Sequence, residues 1–367
     1  AEVFGGPSDY DHASTGNYQT RTFRAEGPGS VLDLSAITEA RNGTHYDSDL
    51  LIQARAGATV DLSGLMLLTD VGAGNTSRRS IQILAEGTSS AVDLGALTDI
   101  SDAFGTGSTD GHFSSLNADE GGEIRSGSLA TVNGVQLVLD RTGAIAVGSV
   151  ATLTNGRVDA SGNDVAFPVL TNAQDTAFSA DGVHVDIGTV TNLSFGSVLL
   201  KNRGTADTAA VTNIDHAALT VLDGATLAFP LVTSYDFASS GNNQNLTLRA
   251  EGAGSVLDLS SVTTVTNGAN YDSDLYIQAF AGGIVDLGAT TDLTDPVGGN
   301  TSRRSIHIYV EGVGTQIDLS ALTSYVDRSA SGTTDGQRSS LAVLYLSLIH
   351  ISEPTRLVHS SRMPSSS

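Results

Sequence analysis

No cysteine and no tryptophan occur among the 367 residues, and lysine occurs once, at Lys201. The first absence excludes disulfides and thiolate metal sites. The second, with aromatics at only 5%, argues against a thick globular centre filled by large rings and for a narrow core of stacked aliphatics. Basic residues number 18 against 40 acidic ones, a net charge of −22. Nucleic acid is excluded as a partner, because its phosphates need Lys and Arg. Anionic membrane surfaces are excluded for the same reason. The balance suits a soluble, self-repelling extracellular protein, so an extracellular or cell-surface location is expected. No run approaches the roughly 18 apolar residues of a membrane span. No stretch sustains an apolar period of 3.6 with caps, so helices are not expected.

Glycine is plentiful, with 41 residues, as expected where many short strands each end in a turn. Above that background stands a long repeat. RAEGPGSVLDLS (Arg24–Ser35) returns as RAEGAGSVLDLS (Arg249–Ser260). YDSDL at 46–50 returns at 271–275, and GNTSRRSI at 74–81 returns at 299–306, each offset by 225 residues. Positions 20–116 and 245–341 share 55 identities in 97 with no gap.

A shorter repeat lies inside the long one. An apolar-Asp-Leu box carries Asp33, Asp61 and Asp93, then Asp258, Asp286 and Asp318, spaced 28 then 32 in both blocks. Between the blocks, Asn133, Asn155, Asn172, Asn192 and Asn213 step by 22, 17, 20 and 21. Such periods mark a stacked array. Short, β-branched-rich, alternating segments read as strands, for example 135–140, 144–150, 183–187 and 219–222. In the box, the flanking apolar residues face one side and the Asp the other. The Asn series is expected to occupy a turn and to form a coil-to-coil amide ladder. The expected fold is therefore all-β: a right-handed parallel β-helix (β-solenoid) with variable 17–32-residue coils and a duplicated 225-residue block. It should run as one continuous solenoid over 1–345, with long coils at 20–116 and 245–341 and shorter ones at 120–240.

The segments GSVLDLS (Gly29–Ser35 and Gly254–Ser260), LATV (Leu129–Val132) and PLVTS (Pro230–Ser234) carry a resemblance. The chain resembles repeat-rich, acidic, cysteine-free bacterial surface proteins of the β-helix adhesin type. That resemblance implies adhesion or cell-surface structure, with an extracellular glycan or a cell-surface protein as partner. The stretch LSLIHISEPTR (Leu346–Arg356), followed by RMPSS (Arg362–Ser366) in the same frame, resembles a translated sequencing-library adapter. Residues 346–367 are therefore expected to be non-native, with the natural sequence breaking off near Tyr345, and the non-Met start at Ala1 is read as a cut as well.

Chemistry is expected where the long coils carry extra residues: 42–49, 71–80 and 101–115, with counterparts 267–274, 297–305 and 326–340. Insertions of this kind map to one face of a solenoid, often its binding face. In the first block that face should present Tyr46, Asp47, Asp49, Arg78, Arg79, Asp110 and His112. In the second it should present Tyr271, Asp272, Asp274, Arg303, Arg304 and Asp335. Aromatic, guanidinium and carboxylate groups together could hold a sugar chain. Asp47, Asp49, Asp272 and Asp274 are candidate Ca²⁺ ligands, although the GGxGxD nonapeptide and the EF-hand loop are absent. No other cofactor is expected. The expected function is a non-enzymatic structural or adhesive surface scaffold that binds glycans through the long-coil loops. The alternative is a carbohydrate-active β-helix enzyme, a polysaccharide lyase or glycoside hydrolase. Hydrolysis would need paired carboxylates, and Asp33 with Asp61 is one such pair. Because this column recurs in every long coil, it reads as structural. GxSxG, Walker and HExxH motifs are absent.

Overall fold

A computed structural model describes residues 9–103, 112–139, 142–300, 302–327, 337–344, 348–351 and 356–359. Every regular element among them is a β-strand. The strands form parallel sheets stacked as a β-solenoid of about 11 turns. The chain divides into two compact units, 1–179 with 183–189, and 180–182 with 190–367.

In the first unit each turn contributes one strand to a long sheet: Thr20–Glu26, Asp49–Arg55, Ser80–Glu86, Ser114–Asp119, Val135–Leu139 and Arg157–Ser161. Their registers stack Ile52, Ile83, Leu116, Leu137 and Val158 in one inward column, all of them buried. The box strands Val31–Asp33, Thr59–Asp61 and Ala91–Asp93 form a second sheet. A third sheet holds Glu39–Arg41, Leu67–Asp70 and Asp99–Asp102.

The second unit repeats the scheme. Its long-sheet strands are Ser197–Lys201, Ala218–Leu222, Gln244–Glu251, Ser273–Phe280, Ser305–Glu311 and Ser340–Leu344. Val198, Leu219, Leu248, Ile277 and Ile308 stack inward. Each such buried aliphatic contributes about 1.5–3 kcal/mol, so the column is a principal source of stability. Box strands Val256–Asp258, Ile284–Asp286 and Gln316–Leu319 pair in turn. Leu348–Ile351 pairs with Gln316–Leu319, and Arg356–His359 with Ser324–Asp327.

The box has a physical explanation. Asp61 Oδ1 accepts from the Ser63 amide, Asp93 from Gly95, Asp258 from Ser260, Asp286 from Gly288 and Asp318 from Ser320, all near 2.9 Å. These are Asx turns, in which a short carboxylate satisfies backbone two residues on. The following Leu then opens a tight turn, seen where the Leu65 amide donates to the Leu62 carbonyl at 2.9 Å and where Val262 does so to Leu259. Both aliphatics of each turn point inward and are buried. The same device ends one expected strand early. Ala144–Ile145 is extended, while Val147 and Val150 flank a turn and remain buried.

The asparagine ladder forms at one step, where the Asn155 amide donates to Asn133 Oδ1 at 2.8 Å. Asn172, Asn192 and Asn213 instead close Asx turns onto Gln174, Ser194 and Asp215. An amide oxygen two residues from a free backbone N–H has a nearer partner than the next coil, and the nearer partner wins.

Candidate functional site

The long coils enter the long sheet through a corner of unusual backbone. Tyr18, Asp47 and Arg78 have φ of 59°, 54° and 58°, and Asn243, Asp272 and Arg303 have 56°, 55° and 60°. Non-glycine residues in this left-handed region cost on the order of 1 kcal/mol each. They persist because each corner is tied to its neighbour. The Tyr18 amide donates to the Tyr46 carbonyl at 2.9 Å, and Asp47 to Ser77 at 3.1 Å. Asn243 and Asp272 make the matching bonds to Tyr271 and Ser302. Gly74 and Gly299 lie in the loops behind, at φ of 77° and 74°. A Cβ there would sit 2.1 Å from the Thr44 carbonyl oxygen or 2.0 Å from that of Ala269, so only glycine fits.

The corners carry the expected face in part. The Tyr46 ring meets Tyr18 edge-on, centroids 5.3 Å apart. Arg78 Nε lies 3.7 Å from Asp47, and Arg303 Nε 3.3 Å from Asp272. Tyr271 is partly exposed beside Asp272. Asp110 and Asp335 lie outside the described residues.

Arg79 and Arg304 correct the sequence reading: neither reaches the surface. They are 3% and 1% exposed. The left-handed turn at Arg78 or Arg303 sends that side chain outward and the next one inward. Arg79 Nη2 lies 2.6 Å from Asp70 Oδ1, Nη1 donates to the Ala73 carbonyl at 2.9 Å, and Nη2 also donates to Val71. Arg304 repeats this with Asp295 at 3.4 Å, Gly298 at 2.8 Å and Pro296. Asn42 completes the clamp. Its amide donates to Asp70 at 2.8 Å and to the Ser48 and Ser80 carbonyls at 2.8 and 3.1 Å. Asn267 does the same for Asp295, Ser273 and Ser305. These arginines hold the loops against the coil and are not free to bind a ligand.

Burial raises the Asp70 carboxyl to about 7, assisted by Asp102 on the next coil and opposed by the Asn42 bond and by Arg79.

A third layer opens each long-sheet strand. Ser80 Oγ donates to Asp49 at 2.7 Å, and Gln82 donates to Ser80 at 3.1 Å. His112 lies near enough to pull the Asp49 carboxyl down, while burial, the larger effect, raises it. In the second block Ser305 donates to Asp274, whose carboxyl burial also raises. There Ser305 Oγ is 2.8 Å from His307 Nε2, and His307 Nδ1 is 2.7 Å from Ser340 Oγ. The two blocks exchange side chains around one carboxylate: Gln82 with His112 in the first, His307 with Gln337 in the second. Position-by-position comparison of the copies would have exposed His307 and its partners, which reading for motifs missed.

All four candidate Ca²⁺ ligands are engaged by protein groups: Asp47 and Asp272 by arginines, Asp49 and Asp274 by serine hydroxyls. Among the described residues no group of three or more His, Cys, Asp or Glu is placed to hold a metal ion. Nor is any helix there long and apolar enough to cross a membrane. Elsewhere, His216 stacks on Phe195 at 4.7 Å and meets Phe237 at 5.2 Å, which makes it a turn-stacking residue.

No family model, curated protein or solved structure matches the chain.

Proposed function

We propose that the chain is a non-enzymatic surface scaffold, adhesin-like and displayed outside a bacterial cell, whose long-coil corners bind a glycan. The observation that carries this reading is a corner built twice, 225 residues apart. Each copy presents a tyrosine and an arginine–carboxylate pair (Tyr46, Asp47 and Arg78; Tyr271, Asp272 and Arg303) over a buried polar clamp. A strained, clamped corner repeated with its side chains intact is what a preorganised binding surface needs. Ring faces can stack on sugar C–H groups, and the ion pair can exchange hydrogen bonds with hydroxyls. A glycan array probed with the intact chain and with the Tyr46→Ala/Tyr271→Ala double variant tests it. Binding that falls by about tenfold in the variant is expected. Equal signals from both proteins, or no signal from either, would remove the corner reading.

In the same reading residues 346–367 are a translated adapter and not part of the working protein. Deleting them should leave the melting midpoint within about 3 °C of the intact chain. A fall beyond about 8 °C would make them a structural coil.

A second reading, a carbohydrate-active enzyme, draws on one observation. The contacts Ser340, His307, Ser305 and Asp274 form a chain with consistent directions: Ser340 can donate to Nδ1 while Nε2–H donates to Ser305, which donates to Asp274. Burial lowers the His307 pKa, which keeps the ring neutral and able to accept a proton. Hydrolysis of an acetylated sugar that is lost in Ser340→Ala would favour this reading over the scaffold.

A further inference from the structure

The two blocks diverge in one direction on one face. In the paired strands Asp49–Arg55 and Ser80–Glu86, five of the six inward residues recur unchanged in Ser273–Phe280 and Ser305–Glu311, and the sixth is Ala85 against Val310. Of the eight outward residues four differ, and each change introduces a ring. Leu51 is answered by Tyr276, Arg55 by Phe280, Gln82 by His307 and Leu84 by Tyr309. Packing holds the inward set fixed and leaves the outward set free to drift, but drift alone does not bring a ring at every change. Here the core is copied and the solvent face is re-lettered.

The four rings form two pairs on the outer face of the sheet. Tyr276 and His307 are register partners and stack at 5.1 Å, with planes 26° apart. Phe280 and Tyr309 lie 5.5 Å apart. The Arg249 guanidinium sits 4.7 Å over the Phe280 ring. Gln278 lies between the pairs, at the outward position between Tyr276 and Phe280. Alternation spaces such outward residues by about 6.6 Å along a strand, so the rings make a flat, ridged platform.

The charges on this platform are already occupied. Arg249 pairs with Glu251, and Glu311 accepts the Tyr309 hydroxyl at 2.8 Å. In the first block the same place holds an Arg55–Glu86 ion pair at 2.7 Å. The change from Arg55 to Phe280 therefore removes a cation and supplies a ring. A charge-balanced aromatic face on a chain of net charge −22 complements an uncharged ligand and repels polyanions.

We propose that the sheet face formed by Tyr276, Phe280, His307 and Tyr309 binds an uncharged polysaccharide strand, with pyranose C–H faces on the rings and hydroxyls on Gln278 and the flanking carboxylates. This goes beyond the corner reading and uses none of the corner residues.

The first block supplies the test. The triple variant Tyr276→Leu, Phe280→Arg, Tyr309→Leu installs residues that its twin already accommodates, and the new arginine has Glu311 as partner, as Arg55 has Glu86. It retains His307, so the serine–histidine chain stays intact. Titration calorimetry of the full chain with uncharged hexaoses of glucose, xylose, mannose and N-acetylglucosamine reads the affinity, and circular dichroism and melting confirm folding. At least one hexaose should bind, and the triple variant should lose about tenfold or more in affinity. The reverse graft, Leu51→Tyr, Arg55→Phe, Leu84→Tyr, should raise the apparent number of sites. In a Tyr271→Ala background, which tests the corner reading separately, the triple substitution should still cost about tenfold or more in affinity. Failure of all four hexaoses, undiminished binding by a folded triple variant, or binding confined to polygalacturonate would overturn the proposal. Loss in Tyr271→Ala alone would overturn it while supporting the corner reading.

Discussion

Arg304→Ala should loosen one loop far more than an alanine at the neighbouring Arg303. The Arg304 guanidinium is fully buried, 3.4 Å from Asp295, and donates to the carbonyls of Gly298 and Pro296. Truncation leaves Asp295 with the Asn267 amide as its remaining partner among these groups and strands two carbonyls. Breaking a buried ion pair from one side costs about 3–5 kcal/mol. Each orphaned carbonyl adds up to about 1 kcal/mol, less whatever water enters the space. An effect near 4 kcal/mol corresponds to roughly a thousandfold easier local opening. Amide hydrogen exchange read by mass spectrometry on peptides covering 292–306 should show protection falling by two to three decades, by the same arithmetic. Arg303→Ala, which removes a partly exposed pair, should change protection by less than about tenfold. Arg304→Met combined with Asp295→Leu should recover most of the loss, since removing both partners leaves no buried charge behind. Equal protection in Arg304→Ala and Arg303→Ala would refute the clamp.

Two further outcomes follow from the same structure. Asp70 is raised to about 7 in the folded chain from an unfolded value near 3.9. The stability this contributes is complete below about pH 4 and is lost as pH rises through 7, up to about 4 kcal/mol. Urea melts of the intact chain between pH 5 and pH 8 should show stability falling with pH, and Asp70→Asn should flatten that slope; a slope unchanged in the variant would contradict the assignment. Leu259→Asp should unfold its coils, since Leu259 is fully buried and a lone interior carboxylate is costly. The same change at half-buried Leu34 should be milder, because among the described residues its box strand has one paired neighbour where that of Leu259 has two. Equal melting points for the two variants would count against this ordering.

The fold was largely legible because its causes repeat. Leu32, Val60 and Val92 alternate with their aspartates, and that alternation, copied at 225, marks stacked strands. The Asx role of those aspartates was not legible, since an Asp beside a Ser or Gly two residues on reads equally as an exposed column. The site was legible only in outline. Tyr46, Asp47 and Arg78 were found because inserted residues cluster at one place in the period. The inward turn of Arg79 was hidden, since two adjacent arginines give no sign of which one follows a left-handed residue. His307 and the rings of Tyr276, Phe280 and Tyr309 carry no motif. They show themselves only against Gln82, Leu51, Arg55 and Leu84, once the sheet says which positions face out.

Everything rests on the rung-to-rung register, and a chain without native cysteine allows it to be measured directly. Register partners such as Gln53 and Leu84, or Gln278 and Tyr309, should have Cα atoms about 4.8 Å apart, within the span a disulfide bridges. Paired cysteines at those positions should oxidise within one chain in both blocks, while an offset pair at Gln53 and Gln82 should stay reduced. Equal cross-linking of in-register and offset pairs, or cross-linking in one block and not the other, would contradict the duplicated parallel solenoid.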